Sequence, residues 1–139
     1  MLRYFLPAAL MVSVGAPATA AEEQDRYDAV VAAPGSHQLL LENDRIRVLR
    51  VSIAPGVTEP IHDHRWPSVM YFERAQPITY ISYELIGGMP VEKARVDVPM
   101  EALSGAEAAD PEGLHAVRNR GTEPFLALRV ELKDRRPLK

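Results

Sequence analysis

The chain contains no cysteine. That excludes a disulfide framework, a thiolate metal site, a cysteine nucleophile and a lipid-modified amino-terminal cysteine. It carries no Gly-rich phosphate loop, nucleophile elbow, Ser/His/Asp order or H-E-x-x-H helix. Cationic charge is short: 16 Lys and Arg face 19 Asp and Glu, a net charge of −3, which offers nothing to nucleic acid or an anionic membrane. From Val96 to Val117 there is no Lys or Arg at all, while Asp97, Glu101, Glu107, Asp110 and Glu112 supply acid. Such a stretch reads as a solvated rim. Histidine is scarce as well, at four residues, and three of them fall in two short stretches.

What is present begins with an export signal. Arg3 is the only charge in residues 1–20, and it precedes an apolar run, Phe5 to Val14, that ends in Gly15-Ala16-Pro17-Ala18-Thr19-Ala20. A basic start, an apolar middle and an A-x-A ending predict a secretory signal cleaved after Ala20, and hence a periplasmic or secreted protein. The run is shorter than the ~20 residues that span a bilayer, so no membrane span is expected once the signal is removed. Residues 21–36 read as a mobile lead-in with one short helical turn. Residues 37–133 form the expected domain, and 134–139 a basic, frayed tail. The 139 residues suffice for one domain with a real core.

Within that domain the pattern is β. Asn43-Asp44 suits a tight hairpin turn. Arg45 to Ile53 alternates, with a phase slip between Val48 and Leu49 that predicts a bulge or a strand buried on both faces. Val69–Phe72, Ile78–Tyr83, Val91–Val98, His115–Asn119 and Phe125–Leu132 follow as strands, separated by turns rich in Gly and Pro. In the last of them Leu126, Leu128, Val130 and Leu132 oppose Ala127, Arg129 and Glu131. Short strands at close spacing predict an all-β sandwich or barrel.

The chain is organised around Gly56-Val57-Thr58-Glu59-Pro60-Ile61-His62-Asp63-His64. Alternate side chains of a strand share a face, so His62 and His64 project together, about 7 Å apart along the backbone. The third imidazole comes from Pro111-Glu112-Gly113-Leu114-His115-Ala116-Val117-Arg118-Asn119. These stretches resemble the two motifs of the cupin superfamily, G-x5-H-x-H and P-x-G-x2-H-x3-N. The resemblance covers roughly residues 40–132 and implies a double-stranded β-helix, or jelly-roll barrel. It further implies one divalent transition metal (Fe, Mn, Ni, Cu or Zn) held by His62, His64 and His115, a small-molecule ligand, and a homodimer paired through edge strands.

The chain departs from the family pattern where a glutamate commonly follows the second histidine. Ser68 or Val69 stands there, after Trp66-Pro67, and the second motif is one residue short between Gly113 and His115. Three neutral imidazoles leave the ion's charge uncompensated, which disfavours hard ions and acidifies bound water. Glu59, Asp63 and Glu73 are the candidate substitute carboxylates; strand parity points Asp63 away as an exposed charge, and Glu59, which precedes the strand and could fold back, is read first as a solvated charge. Further pocket candidates are Trp66, Ser68, Tyr71 and Asn119, the last ordering a turn; Tyr80 and Tyr83 are available to line a barrel. His37 is expected on the surface, and Arg45, Arg47 and Arg50 on a solvated sheet face. Three functions fit: a metal-dependent oxygenase or oxidoreductase, a non-catalytic ligand-binding module, and a metal-dependent lyase or isomerase.

Overall fold

In the computed structural model the described residues are Ala16, Thr19, Glu22 and 25–133. The expected basic tail lies outside them, as does the signal apart from Ala16 and Thr19. A short helix, α1 (Ala29–Ala32), precedes nine strands: β1 (His37–Glu42), β2 (Ile46–Ile53), β3 (His62–His64), β4 (Ser68–Arg74), β5 (Ile78–Ile86), β6 (Met89–Val98), β7 (Ala106–Ala109), β8 (Glu112–Asn119) and β9 (Phe125–Leu132). A 3₁₀ turn, Met100–Ala102, lies between β6 and β7. The strands form two sheets, ordered β1-β2-β9-β4-β7 and β3-β8-β5-β6, with every neighbouring pair antiparallel. This is the jelly-roll arrangement expected. Local chemistry sets the turns: Asn43 Oδ1 accepts from the Arg45 and Ile46 N–H groups, and Gly87 and Gly88 take φ of 58° and 79° in the two-residue β5–β6 hairpin.

The irregularity expected between Val48 and Leu49 is a bulge in the β1–β2 ladder at that step, where Leu39↔Leu49 is followed by Leu41↔Val48; the extra residue belongs to β1, and β2 pairs with β9 in unbroken register from Ile46↔Leu132 to Ile53↔Phe125. Arg47, Leu49, Val51 and Ile53 are the buried face of β2, and Phe125, Ala127, Arg129 and Glu131 that of β9. Arg47 is therefore a lumen residue and not part of a solvated face. In β9 the charged residues point in, while Leu126, Leu128, Val130 and Leu132 point outward, half-buried. The inward cross-strand pairs run Arg47↔Glu131, Leu49↔Arg129, Val51↔Ala127, Ile53↔Phe125. Polarity thus grades along the barrel, from an ionic end to an apolar one.

The apolar end is the hydrophobic core: Val51, Ile53, Ile78, Phe125 and Ala127, packed against Met70, Phe72, Val98, Leu103 and Val117. At the ionic end the lead-in is fastened down. Its helical turn is present, and Ala29, Ala33 and Ser36 are buried. Asp28 caps α1 by accepting from Val30 N–H, and both its carboxylate oxygens also accept from Arg47 Nη1, at 2.8 and 2.9 Å. The Asp63 N–H donates to Tyr27 O at 2.7 Å. Residues 27–36 are packed because Asp28 supplies the anion that the buried Arg47 requires.

Candidate metal centre

The short β3 has room for three residues, and its two buried ones are His62 and His64. β8 brings His115 directly across from His62, and Glu112 across from His64. His37 enters from the start of β1. It is only 4% exposed, with its ring centroid 4.5 Å from that of His62 and 5.2 Å from that of His64. The surface position expected for it is therefore overturned. Its sequence neighbourhood held no motif, and only the β1–β2 register, which sets His37 against Val51, places it at the lumen.

The hydrogen bonds decide which ring nitrogens are free. His62 Nδ1 lies 2.9 Å from Pro60 O, and His115 Nδ1 lies 2.8 Å from Gly113 O. A carbonyl only accepts, so both Nδ1 atoms carry the proton and both Nε2 atoms keep a lone pair. His64 Nδ1 donates to Glu131 Oε1 at 2.6 Å, with the same result. The Ser36 hydroxyl donates to Glu59 Oε2 at 2.9 Å, which leaves it to accept from His37 Nδ1 at 3.1 Å. All four imidazoles are thereby set as neutral Nε2 donors, the tautomer that metal ligation needs.

Burial is the largest cause holding these rings neutral. It lowers His37 to about 3, with His64 adding to the effect, and lowers His62 to about 2, assisted by His115 and His37. His64 and His115 are lowered as well, by burial first; at His64 the Arg129 cation comes next. Glu59 moves oppositely. Burial raises it to about 7, against the opposing pull of the Ser36 hydroxyl and the Val117 N–H.

Three sets of donors have all their ligand atoms within 4.8 Å of one another: His37/His62/His64, Glu59/His62/His115 and His64/Glu112/His115. Each pair within the expected trio His62, His64 and His115 occurs in one of them. His62 Nε2 is buried without a hydrogen-bond partner and stands 3.8 Å from Glu59 Oε1. That gap is too long for a hydrogen bond, yet it suits two donors each about 2.1 Å from a shared ion. The residues present therefore fit a divalent ion. Glu59, 5% exposed, folds back against His62 and His115 and brings a carboxylate to the cluster, which Ser68 cannot do.

The outer shell is ionic. Glu131 joins His64 to Arg47, Arg47 reaches Asp28, and Arg129 pairs with Glu112. Tyr80 stacks on His115 at 4.9 Å and donates its hydroxyl to Glu112 at 3.2 Å; burial, then the Glu112 charge, pushes its phenol up. Glu131→Gln is expected to weaken metal binding by ~10–100-fold, because the partner orienting His64 loses its charge. The same change strips the buried Arg47 of an anion, a loss on the order of 3 kcal/mol in urea titration of stripped protein. Unchanged affinity beside lowered stability would show that Glu131 serves the fold alone.

The pocket candidates divide. A cavity of about 240 Å³ is lined by the four histidines, Glu59, Glu107, Glu112, Arg129, Tyr80 and the apolar core. Trp66, Ser68, Tyr71 and Asn119 do not line it. Trp66 is flanked by Arg47, Arg65 and Lys133, with cation-to-centroid distances of 4.8, 5.5 and 5.2 Å. Ser68 is buried beside Glu131 in the sheet. Tyr71 is on the outward face of β4, 54% exposed. Asn119 orders the turn as expected, donating to Ile53 O and Glu123 O and accepting from Gly121 N–H. Asp63 faces away from the rings and is half-buried, and Glu73 is exposed.

No family model and no curated protein matches the chain. Among solved structures it is similar to a cupin domain from Bordetella pertussis Tohama I, at 17% identity over 70% of this chain and 92% of that one, with a TM-score of 0.53. A cupin 2 conserved barrel domain protein from Salinispora arenicola is 20% identical over 71% and 75% of the two chains, TM-score 0.44. A Klebsiella pneumoniae protein with a double-stranded β-helix domain is 19% identical over 80% and 87%, TM-score 0.44. The chain shares the double-stranded β-helix fold of a cupin domain. Within that fold it presents four histidines and an upstream glutamate. No helix among the described residues is long and apolar enough to cross a membrane.

Proposed function

We propose that this protein is a metal-dependent enzyme acting on a small organic substrate, with a transition-metal ion held by His62, His64 and His115 and approached by Glu59 and His37. The observation carrying the reading is the meeting of these buried rings in donor sets whose ligand atoms lie within 4.8 Å of one another, with Nδ1 of His62, His64 and His115 each engaged and His62 Nε2 left without a partner. Neutral imidazoles favour Fe(II), Ni(II), Cu(II) or Zn(II) over harder ions. When bound, the ion supplies Lewis acidity or oxygen activation. The protein's own part is to bind the substrate in the adjoining cavity, to exclude water with the apolar core, and to hold a proton at Glu59.

Oxidation is the first reaction class proposed. A lyase or isomerase is the second, and Glu59 is the observation favouring it: a carboxyl raised to about 7 and 3.8 Å from His62 is suited to general acid–base work. Elemental analysis of protein purified without added metal, followed by oxygen uptake with thiols and phenols, tests the proposal. Oxygen consumption that disappears on chelation supports an oxygenase. Metal-dependent turnover without oxygen supports the second class, and protein that holds no metal and gains none on titration rejects both.

A further inference from the structure

We infer that the site selects a compact, apolar molecule with a single metal-chelating head group and rejects substrates bearing a second anionic or strongly polar group. The inference rests on the metal reading above and adds the ligand's chemistry. The cavity of about 240 Å³ has two unlike ends. One end is the donor cluster. The other is walled by Val51, Ile53, Phe72, Ile78, Val117 and Phe125, which belong to or pack against the barrel's own hydrophobic cluster. Graded polarity along β2 and β9 produces this division, since the inward pairs pass from Arg47↔Glu131 to Ile53↔Phe125 within the same two strands.

Charge decides what the head group must be. Arg129, the one Lys or Arg side chain lining the cavity, gives Nη1 to Glu112, and its Nε and Nη2, though without hydrogen-bond partners, are buried out of reach of a ligand in the cavity. A second anion on the ligand would meet Glu59, Glu107 and Glu112 with no lysine beside them. A sugar or dicarboxylate would strand its polar groups against Ile53 and Phe125, a cost its binding would have to overcome. Size sets the rest. At about 30 Å³ for each water-sized group, the cavity takes roughly eight non-hydrogen atoms. A chelating head of four leaves space for an apolar tail of about four carbons.

The test is a series of straight-chain alkyl hydroxamates, from acetohydroxamate to decanohydroxamate, titrated calorimetrically into the metal-loaded full chain. Each buried methylene is worth about 0.8 kcal/mol, so affinity is expected to rise threefold to fourfold per carbon up to about pentanohydroxamate, whose tail is about four carbons, then level off. The carboxylate-tailed succinohydroxamate is expected to bind at least about tenfold more weakly than the pentanoyl compound, the ratio given by 1.4 kcal/mol. Leu103→Trp, which fills the apolar end, is expected to shorten the optimum by about two carbons (the bulk an indole adds over leucine's side chain) while metal content and acetohydroxamate affinity stay as in the parent. Val98→Phe provides the same test should Leu103→Trp not fold. A flat series on loaded protein, or succinohydroxamate binding as tightly as the pentanoyl compound, overturns this inference and leaves the metal reading standing. Failure of every hydroxamate, acetohydroxamate included, on protein that also holds no metal overturns both.

Discussion

Replacing His62, His64 or His115 by alanine is expected to abolish stoichiometric metal binding. The expectation follows from the donor geometry. His62, His64 and His115 each belong to two of the three donor sets, whereas His37, Glu59 and Glu112 each belong to one. An ion that loses a residue common to two sets cannot move to the set that remains without leaving its other ligands. The loss should exceed the ~10–100-fold that follows removal of an outer partner alone. His37→Ala and Glu59→Gln are expected to weaken binding while leaving measurable metal. Elemental analysis of each purified variant gives the ratio of metal to protein directly. Thermal unfolding with and without chelator supplies an independent readout. Ligand at 100 times its Kd stabilises the fold by about 2.7 kcal/mol, and that chelator-sensitive increment should disappear in His62→Ala. If His62→Ala and His115→Ala keep the parent's metal content, the imidazoles serve packing and the proposed centre is wrong.

The fold was legible because turn chemistry and strand periodicity agreed along the chain: Asn43, Gly87 and Gly88 stand at turns, and the expected strands form. The two motifs also located His62, His64 and His115. Polarity is a poor guide to direction in these strands. Arg47, Arg129 and Glu131 are charged, so periodicity alone assigns them to solvent, but they line the lumen because each meets an opposite charge there. Glu131 is two residues from Arg129, and Arg47 pairs with Glu131 across strands distant in sequence. No local pattern contains that partnership, since burying a charge is tolerable only once its distant partner is in place. His37 was missed for a related reason. It stands alone in sequence, and its role depends on β1 closing onto β2 and on Ser36 turning toward Glu59. Glu59 was the intermediate case: its position upstream of the histidine strand was visible, but its burial was not.

The metal-free protein is expected to lose stability steeply as the pH falls below about 6.5, because the same burial that frees the Nε2 lone pairs forbids the rings to charge. His37 at about 3, His62 at about 2, and the lowered His64 and His115 stay neutral in the fold, while in the unfolded chain each takes up a proton near 6.5. Protons therefore bind the unfolded state preferentially, and each ring costs up to about 1.4 kcal/mol per pH unit until its folded-state value is reached. Glu59 works in the opposite direction. Raised to about 7 in the fold, it takes its proton before the unfolded chain does, so between about 7 and 4.5 it returns about 1.4 kcal/mol per unit. Four losses against one gain, 4 − 1 = 3, leave a net fall of roughly 4 kcal/mol per pH unit once the rings are well below 6.5. A domain with a total stability of ~5–15 kcal/mol cannot absorb much of that, and half-unfolding is expected near pH 4.5–5. Loading with Zn(II) should shift the acid transition downward, since the ion occupies the nitrogens that protons must reach. Urea titrations of stripped and loaded protein from pH 7.5 to 4.5 measure both effects. Stability that holds level down to pH 5 in the stripped protein would mean that the rings are open to water, and the donor cluster would lose its physical basis.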